Sequence, residues 1–264
     1  MVFYKTNEEI ELLRESNLLV SRTLAEVARH IQPGIKTLFL DDLAEEFIRD
    51  HGAEPGFKGY NKFPNTLCVS INEQVVHGIP GETMLKDGDI VSVDCGVFMN
   101  GFFGDSAYTF QVGEVKEDVL KLLMITKEAL YKGIEMAVVG KRVGDVSFAI
   151  QQHAENNGYS VVRDLVGHGV GKDLHEKPEL PNYGKRGSGA KLMQGMVLAI
   201  EPMINMGKHI VKKQEDGFTV SAADGLPSAH FEHTVAVKKD KAEILSTFQY
   251  IEEVLQENNS MVVQ

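Results

Sequence analysis

The sequence predicts an α+β fold: a single domain of two halves related by pseudo-twofold symmetry, sharing one sheet and one core. Three observations carry this prediction. A pair of helices with matching glycine stops occurs twice, about 106 positions apart. An Asn-Gly dipeptide, Asn100-Gly101, joins two β-prone runs, and this is a strong short-range signal for a hairpin. The carboxylates recur as well. Asp94 moved by 107 positions falls on Glu201, and Asp105 corresponds to Glu232.

The elements follow in chain order. Thr6 or Asn7 caps a first helix, with Glu9 placed to complete a capping box from Thr6. Ile10, Leu13, Val20, Leu24, Val27 and Ile31 share one face of it, and Pro33-Gly34 stops it. A second helix runs from about Leu38 to His51 and ends at Gly52, a glycine suited to the left-handed residue that closes a helix. The run Ile90–Met99 and the run after Phe102 form the hairpin. With Asn100 and Gly101 as its two turn residues, Met99 pairs with Phe102 and Asp94 faces Ala107. Helices then cover about Glu117 to Val138 and about Val143 to Asn156, stopping at Gly140 and Gly158. Gly34 to Gly52 and Gly140 to Gly158 are equal spacings of eighteen residues, the signature of an internal duplication. A second hairpin spans Met196–Ile204 and His230–Val237, with about twenty extra residues in its loop, around Lys212 to Gly225. The whole chain, 1–264, reads as one domain with halves at about 5–113 and 114–247.

Composition narrows the function classes. The chain is 43% apolar and 25% charged, which suits an ordinary globule with a large core. A net charge of −11 argues against nucleic acid as the main ligand, since phosphate binding needs a basic footprint. Two cysteines, Cys68 and Cys95, make no disulfide framework and point to a reducing compartment. The stretch Met1–Glu9 lacks the apolar core of a signal peptide, and no run reaches ~18 apolar residues. The expected location is the cytoplasm, with no membrane contact, and the expected state is a monomer.

The hairpin makes Asp105 the diagonal neighbour of Asp94 on one sheet face, with Cβ atoms roughly 7–8 Å apart or somewhat less. That separation is too wide for a shared proton and suits two carboxylates holding cations. Buried carboxylates without counter-charge are heavily penalised, and a divalent metal is the economical remedy. Glu201 and Glu232 add two more carboxylates. His168, between Gly167 and Gly169, offers an unhindered imidazole on a backbone free to approach closely. Four carboxylates and one imidazole suit Mn, Fe, Co or Zn rather than a closed structural zinc site. Taken singly, each residue has a plainer reading: Asp94 and Asp105 as solvent-facing strand ends, His168 as a loop histidine, His77 and His175 as satisfied histidines. His230 and His233 flank Glu232. Neither is placed on its face of the strand, and both are left out of the ligand set.

Together the motifs carry a resemblance. Val93-Asp94-Cys95-Gly96, Gly104-Asp105, Gly167-His168-Gly169-Val170-Gly171, Leu174-His175-Glu176-Lys177-Pro178, Ile200-Glu201-Pro202 and Phe231-Glu232-His233-Thr234 occur in order. With Asn72 to Pro80, they resemble the type I methionine aminopeptidases over roughly residues 5 to 247. The resemblance implies the pita-bread fold, an antiparallel sheet flanked by helices with internal pseudo-symmetry. It implies two divalent ions per chain held by Asp94, Asp105, His168, Glu201 and Glu232, with Asp105 and Glu232 bridging. It implies that Glu201 serves as general base and acid, that His175 steadies the oxyanion and that His77 holds the scissile amide. Tyr60, Phe63, Cys68, Leu174 and Phe218 would form the methionine pocket. This chain departs from the family there, with Phe218 where tryptophan is common and Leu174 where an aromatic is common. The implied substrates are nascent polypeptide N-termini near the ribosome, with a small second residue. The competing expectations are a prolidase or aminopeptidase P-like hydrolase, and a metal-free binding module on the same fold.

Overall fold

A computed structural model describes residues 2–262. Among these residues five α-helices, α1 (Asn7–His30), α2 (Thr37–Asp50), α3 (Glu117–Met136), α4 (Val143–Asn156) and α5 (Gln249–Val262), pack around antiparallel strands. α1 begins as its sequence predicts. Glu9 N–H donates to Thr6 Oγ1 at 3.2 Å and Thr6 N–H donates to Glu9 Oε2 at 3.0 Å. Gly34, Gly52, Gly140 and Gly158 all have positive φ, between 72° and 93°, a conformation that glycine adopts without the Cβ penalty. The matched helix pairs are entered alike. Lys36 bridges Met84 just before α2, and Arg142 bridges Lys191 just before α4. α3 stops two residues short of expectation because Ala137 N–H turns back to Ile134 O and Val138 bridges Lys238. The last helix, α5, was not anticipated. Its Ile251 and Val254 are buried in the main core with Leu19, Leu24 and Phe248.

The first hairpin has the expected register: Met99 opposite Phe102, Asp94 opposite Ala107 and Gly96 opposite Asp105. Asn100 (φ 55°) and Gly101 (φ 81°) form the left-handed pair of a tight two-residue turn. On the other edge, Leu67–Ile71 pairs with Ile90–Met99 and sets Cys68 opposite Asp94. α1 lies against this hairpin so closely that a Cβ on Gly104 would stand 2.6 Å from the Ser16 carbonyl carbon. That contact lets the buried Asn17 side chain accept from Asp105 N–H at 3.1 Å.

The second hairpin is interrupted. Val197–Ile200 pairs with His233–Ala236, and Met203–Asn205 pairs with Ser228–His230. The register runs from Ile200–His233 to Met203–His230 without a slip, so Glu201 and Glu232 face each other in the gap. Two groups cause the break. Pro202 has no N–H to donate, and Glu232 N–H donates instead to Ala107 O of the first hairpin at 2.9 Å. The expectation of one shared sheet is corrected accordingly: among the described residues the strands fall into four hydrogen-bonded sheets, joined here by stitches across the centre. Ser106 Oγ donates to Glu232 O at 2.6 Å and Thr234 Oγ1 donates to Asp105 O at 2.8 Å. The twenty-residue insertion is also more ordered than a loop. Val211–Lys213 and Val220–Ala222 form a hairpin of their own, and the latter strand pairs with Gln74–Val76 just before His77.

Candidate active site

A cleft of about 700 Å³ opens over the junction of the two hairpins. Asp94, Asp105, His168, Glu201 and Glu232 line it, with His77 and His175. Ligand atoms of Asp105, His168 and Glu232 all lie within 4.8 Å of one another, and so do those of Glu201, His230 and Glu232. Asp94 belongs to neither group but faces the same cleft from the hairpin position diagonal to Asp105.

Backbone register places each carboxylate. Asp94 and Asp105 share a sheet face by the Asn100-Gly101 register, and Glu201 and Glu232 project from the break between paired strands. His168 is carried on Val166–Gly169, whose glycines allow close approach. A Cβ on Gly167 would sit 2.5 Å from Ala199 O, and one on Gly169 would sit 2.6 Å from Lys177 O. His168 Nδ1 lies 2.9 Å from Gly169 O, so Nδ1–H donates there and leaves the Nε2 lone pair free. That Nε2 is 3.5 Å from Glu201 Oε1 and 3.7 Å from Asp105 Oδ2.

The site is built for positive charge. Asp94 Oδ1, Asp105 Oδ1 and Glu232 Oε1 are buried without a hydrogen-bond partner among the described residues. Burial pushes Asp94 up to about 7. Burial first, and then the neighbouring carboxylates, hold Asp105, Glu201 and Glu232 well above the usual carboxylate range. Burial, with His175 nearby, lowers His168 to about 3, so its imidazole is neutral. Orphaned oxygens and a neutral imidazole anchored by a carbonyl fit a hard or borderline divalent cation.

One wall of the cleft is apolar. Phe57, Phe63, Cys68 and Leu174 form a buried cluster, with Tyr60, Ile79, Phe103 and Phe218 packed against it. All five residues expected to line a pocket are thus in one patch, and Phe57, Ile79 and Phe103 join them. The rings of Phe63 and Phe218 meet edge to face at 5.4 Å. The inserted hairpin delivers Phe218, where Asp216 Oδ1 accepts from Phe218 N–H and Thr219 N–H. Two exposed histidines flank the patch. His77 sits at φ 58°, a strained setting for a residue with a Cβ. The walls of the cleft, then His175 and Lys213, depress its pKa, and the walls depress that of His175.

The model of metallopeptidase family M24 matches residues 11–239, most of the chain. A methionine aminopeptidase of Clostridium perfringens (strain 13 / Type A) is 54% identical over 246 residues, covering 93% of this chain and 99% of its own. The chain belongs to metallopeptidase family M24, on its methionine aminopeptidase branch. Methionine aminopeptidase 1 of Bacillus subtilis (strain 168) is 51% identical, again over 93% of this chain and 99% of its own. The crystal structure of methionine aminopeptidase from Rickettsia prowazekii has a TM-score of 0.92 at 41% identity, covering 94% of this chain and 100% of that one. The prolidase from Pyrococcus furiosus, at 23% identity and TM-score 0.76 over 92% of this chain and 65% of that one, shares the fold alone. The architecture is the pita-bread fold.

One expectation about this M24 site is corrected. His230 lies at its centre, with Nε2 3.7 Å from Glu201 Oε2 and 3.9 Å from Glu232 Oε2. The signal was in the sequence, because residues two apart on a strand share a face, and His230 is two from Glu232. His233, one position on, points away. Its Nδ1 lies 2.6 Å from Ser246 Oγ and its ring stacks on Phe248.

Proposed function

We propose that this chain removes the N-terminal methionine from newly made polypeptides whose second residue is small, by a metal-activated water. The observation that carries the reading is the set of orphaned carboxylate oxygens beside an apolar, partly aromatic patch in one cleft. In this reading Asp94, Asp105, His168, Glu201 and Glu232 would hold two divalent ions, drawn from Mn, Fe, Co or Zn. Such ions supply the positive charge that brings a bound water toward ionisation near neutral pH. Glu201 accepts the water's proton and passes it to the departing amine. His175 donates a hydrogen bond to the carbonyl oxygen as negative charge gathers there. His77 holds the scissile amide. Tyr60, Phe63, Cys68, Leu174 and Phe218 take the methionine side chain. The substrate's free α-amine lies at the carboxylate floor, which restricts cutting to the first peptide bond.

The two halves, about 5–113 and 114–247, act in this reading as one catalytic domain, since each supplies two of the four carboxylates. Cys68 and Cys95 are buried free thiols, which favours action in the reducing cytoplasm. The reading takes nascent chains near the ribosome as substrates and the monomer as the working form. No helix among the described residues is long and apolar enough to cross a membrane.

The test is methionine release from a methionine–alanine peptide by chelated protein, alone and with added Mn, Fe or Co. A peptide with proline second, after a residue other than methionine, runs beside it. Metal-dependent cleavage of the first peptide alone is expected. Cleavage of only the second would move the chain to the prolidase activity. Cleavage of neither, with no ion bound, would leave a binding module on this fold.

A further inference from the structure

His230 ends the strand Ser228–His230 and is 1% exposed. Its backbone is pinned from both sides by one hydroxyl. His230 N–H donates to Thr109 Oγ1 at 2.9 Å, and Thr109 Oγ1 donates back to His230 O at 2.7 Å. Thr109 has then spent its proton, so Ser92 Oγ, 2.8 Å away, is the donor in their contact. The ring on this fixed backbone has no hydrogen-bond partner at either nitrogen among the described residues. Yet Nε2 points at the two carboxylates that face each other across the strand break, 3.7 Å from Glu201 Oε2 and 3.9 Å from Glu232 Oε2. The first distance is roughly 0.5–0.8 Å beyond a formed N–H···O bond, within reach of a small ring or carboxylate rotation. Glu201 is thereby flanked by two imidazoles, with His168 at Oε1 and His230 at Oε2.

The two imidazoles differ in how their protons are held. His168 Nδ1–H is anchored on Gly169 O, which fixes a bare Nε2 toward a cation. His230 Nδ1 has no acceptor, so nothing holds a proton there, and the proton belongs on Nε2, where carboxylate oxygens wait. We infer that His230 is a positioning residue for Glu201, its Nε2–H donating to Oε2 and turning Oε1 toward the cation side. The bond fixes the rotamer of the proton acceptor and leaves its working oxygen beside His168. This inference rests on the metallopeptidase reading of the same cleft.

The experiment compares full-length wild type with His230→Leu, which keeps bulk without a donor, and His230→Gln, which restores an N–H. Chelated protein is titrated with cobalt(II) by calorimetry, the visible spectrum of the cobalt form is recorded, and methionine release is measured. Wild type and both variants should bind the same number of ions. His230→Leu should shift the cobalt bands and lower kcat about 10- to 100-fold with KM within about twofold, and His230→Gln should recover most of both. Wild-type bands and kcat in His230→Leu would overturn the inference. So would loss of one ion in both variants, which would make His230 a ligand, and so would a glutamine variant as impaired as the leucine one. Should His230→Leu fail to fold, His230→Met replaces it and is judged alike. The cobalt spectra need no substrate, so wild type that releases no methionine would sink the activity reading while the bands still decide the role of His230.

Discussion

The Tyr60 hydroxyl lies 2.7 Å from Nδ1 of His175, with the two rings 5.1 Å apart. A phenol is a better donor than acceptor, so Tyr60 O–H donates to Nδ1 and the imidazole proton sits on Nε2. The hydroxyl thus selects the tautomer that can donate into the cleft.

Tyr60→Phe keeps the ring of the apolar patch and removes that selection. Loss of a whole oxyanion donor costs about 10²–10³ in rate, so loosening one should lower kcat about tenfold with KM little changed. Steady-state kinetics on a methionine–alanine peptide checks this. A raised KM at unchanged kcat would assign Tyr60 to the side-chain pocket alone.

Gly167→Ala places a Cβ 2.5 Å from Ala199 O and 3.3 Å from Glu201 Cγ. The strand bearing His168 must then move off its neighbour. Overpacking of this kind costs about 1–3 kcal/mol, and ion affinity should fall with it. Urea denaturation and calorimetric cobalt titration would show both losses, and wild-type affinity would mean that the strand position is unimportant to the site.

Chelated protein should become less stable as pH rises from about 6.5 to 8. Asp94, Asp105, Glu201 and Glu232 have native pKa values raised above their unfolded ones. The native state keeps protons that the unfolded state has released, so their contribution is full below an unfolded pKa of about 4 and lost as pH rises through the native values. The buried histidines act oppositely. His168, His230 and His233, lowered to about 3, contribute fully above the unfolded value of 6.5 and lose that contribution as pH falls. The carboxylates therefore dominate above 6.5. Melting curves with and without manganese should show a falling Tm in the chelated form, and a higher, flatter one in the loaded form.

Lys5 and Glu176 form an ion pair whose side chains are 5% and 3% exposed. Lys5→Met strands a buried carboxylate next to His175 and should cost about 3–5 kcal/mol. The double variant Lys5→Met/Glu176→Met should recover much of this, even though Lys172 N–H loses its acceptor. Denaturant titration of both decides; a double variant worse than the single one would show that the pair is not the source of the loss.

Legibility followed the range of the signals. Asp94 and Asp105 could be placed because one two-residue turn fixes everything ten residues either way. The capping box at Thr6 and the four glycines with positive φ are equally local. The break at Glu201-Pro202 was harder. Pro202 is visible in sequence, but the diversion of Glu232 N–H to Ala107 O joins residues 125 positions apart. A still longer separation, from Val76 to Val220, hid the pairing of Val220–Ala222 with Gln74–Val76, and with it the order in the insertion. α5 lies beyond the duplicated halves, so no repeat marks it, although its apolar spacing, with Ile251 and Val254 in the core, is local. His230 was missed for a simpler reason: strand alternation, applied correctly, puts it beside Glu232.

The bond from Glu232 N–H to Ala107 O has a consequence for the molecule's history as well as its stability. It runs from one half of the chain to the other at a candidate metal ligand, so the seam between the halves is also the proposed ion cradle. Neither half by itself carries all the candidate ligands: Asp94 and Asp105 come from one, and His168, Glu201 and Glu232 from the other. A single-half ancestor of such a duplication could have worked only as a pair of copies, and fusing them into one chain would have made permanent a site that once existed only on encounter.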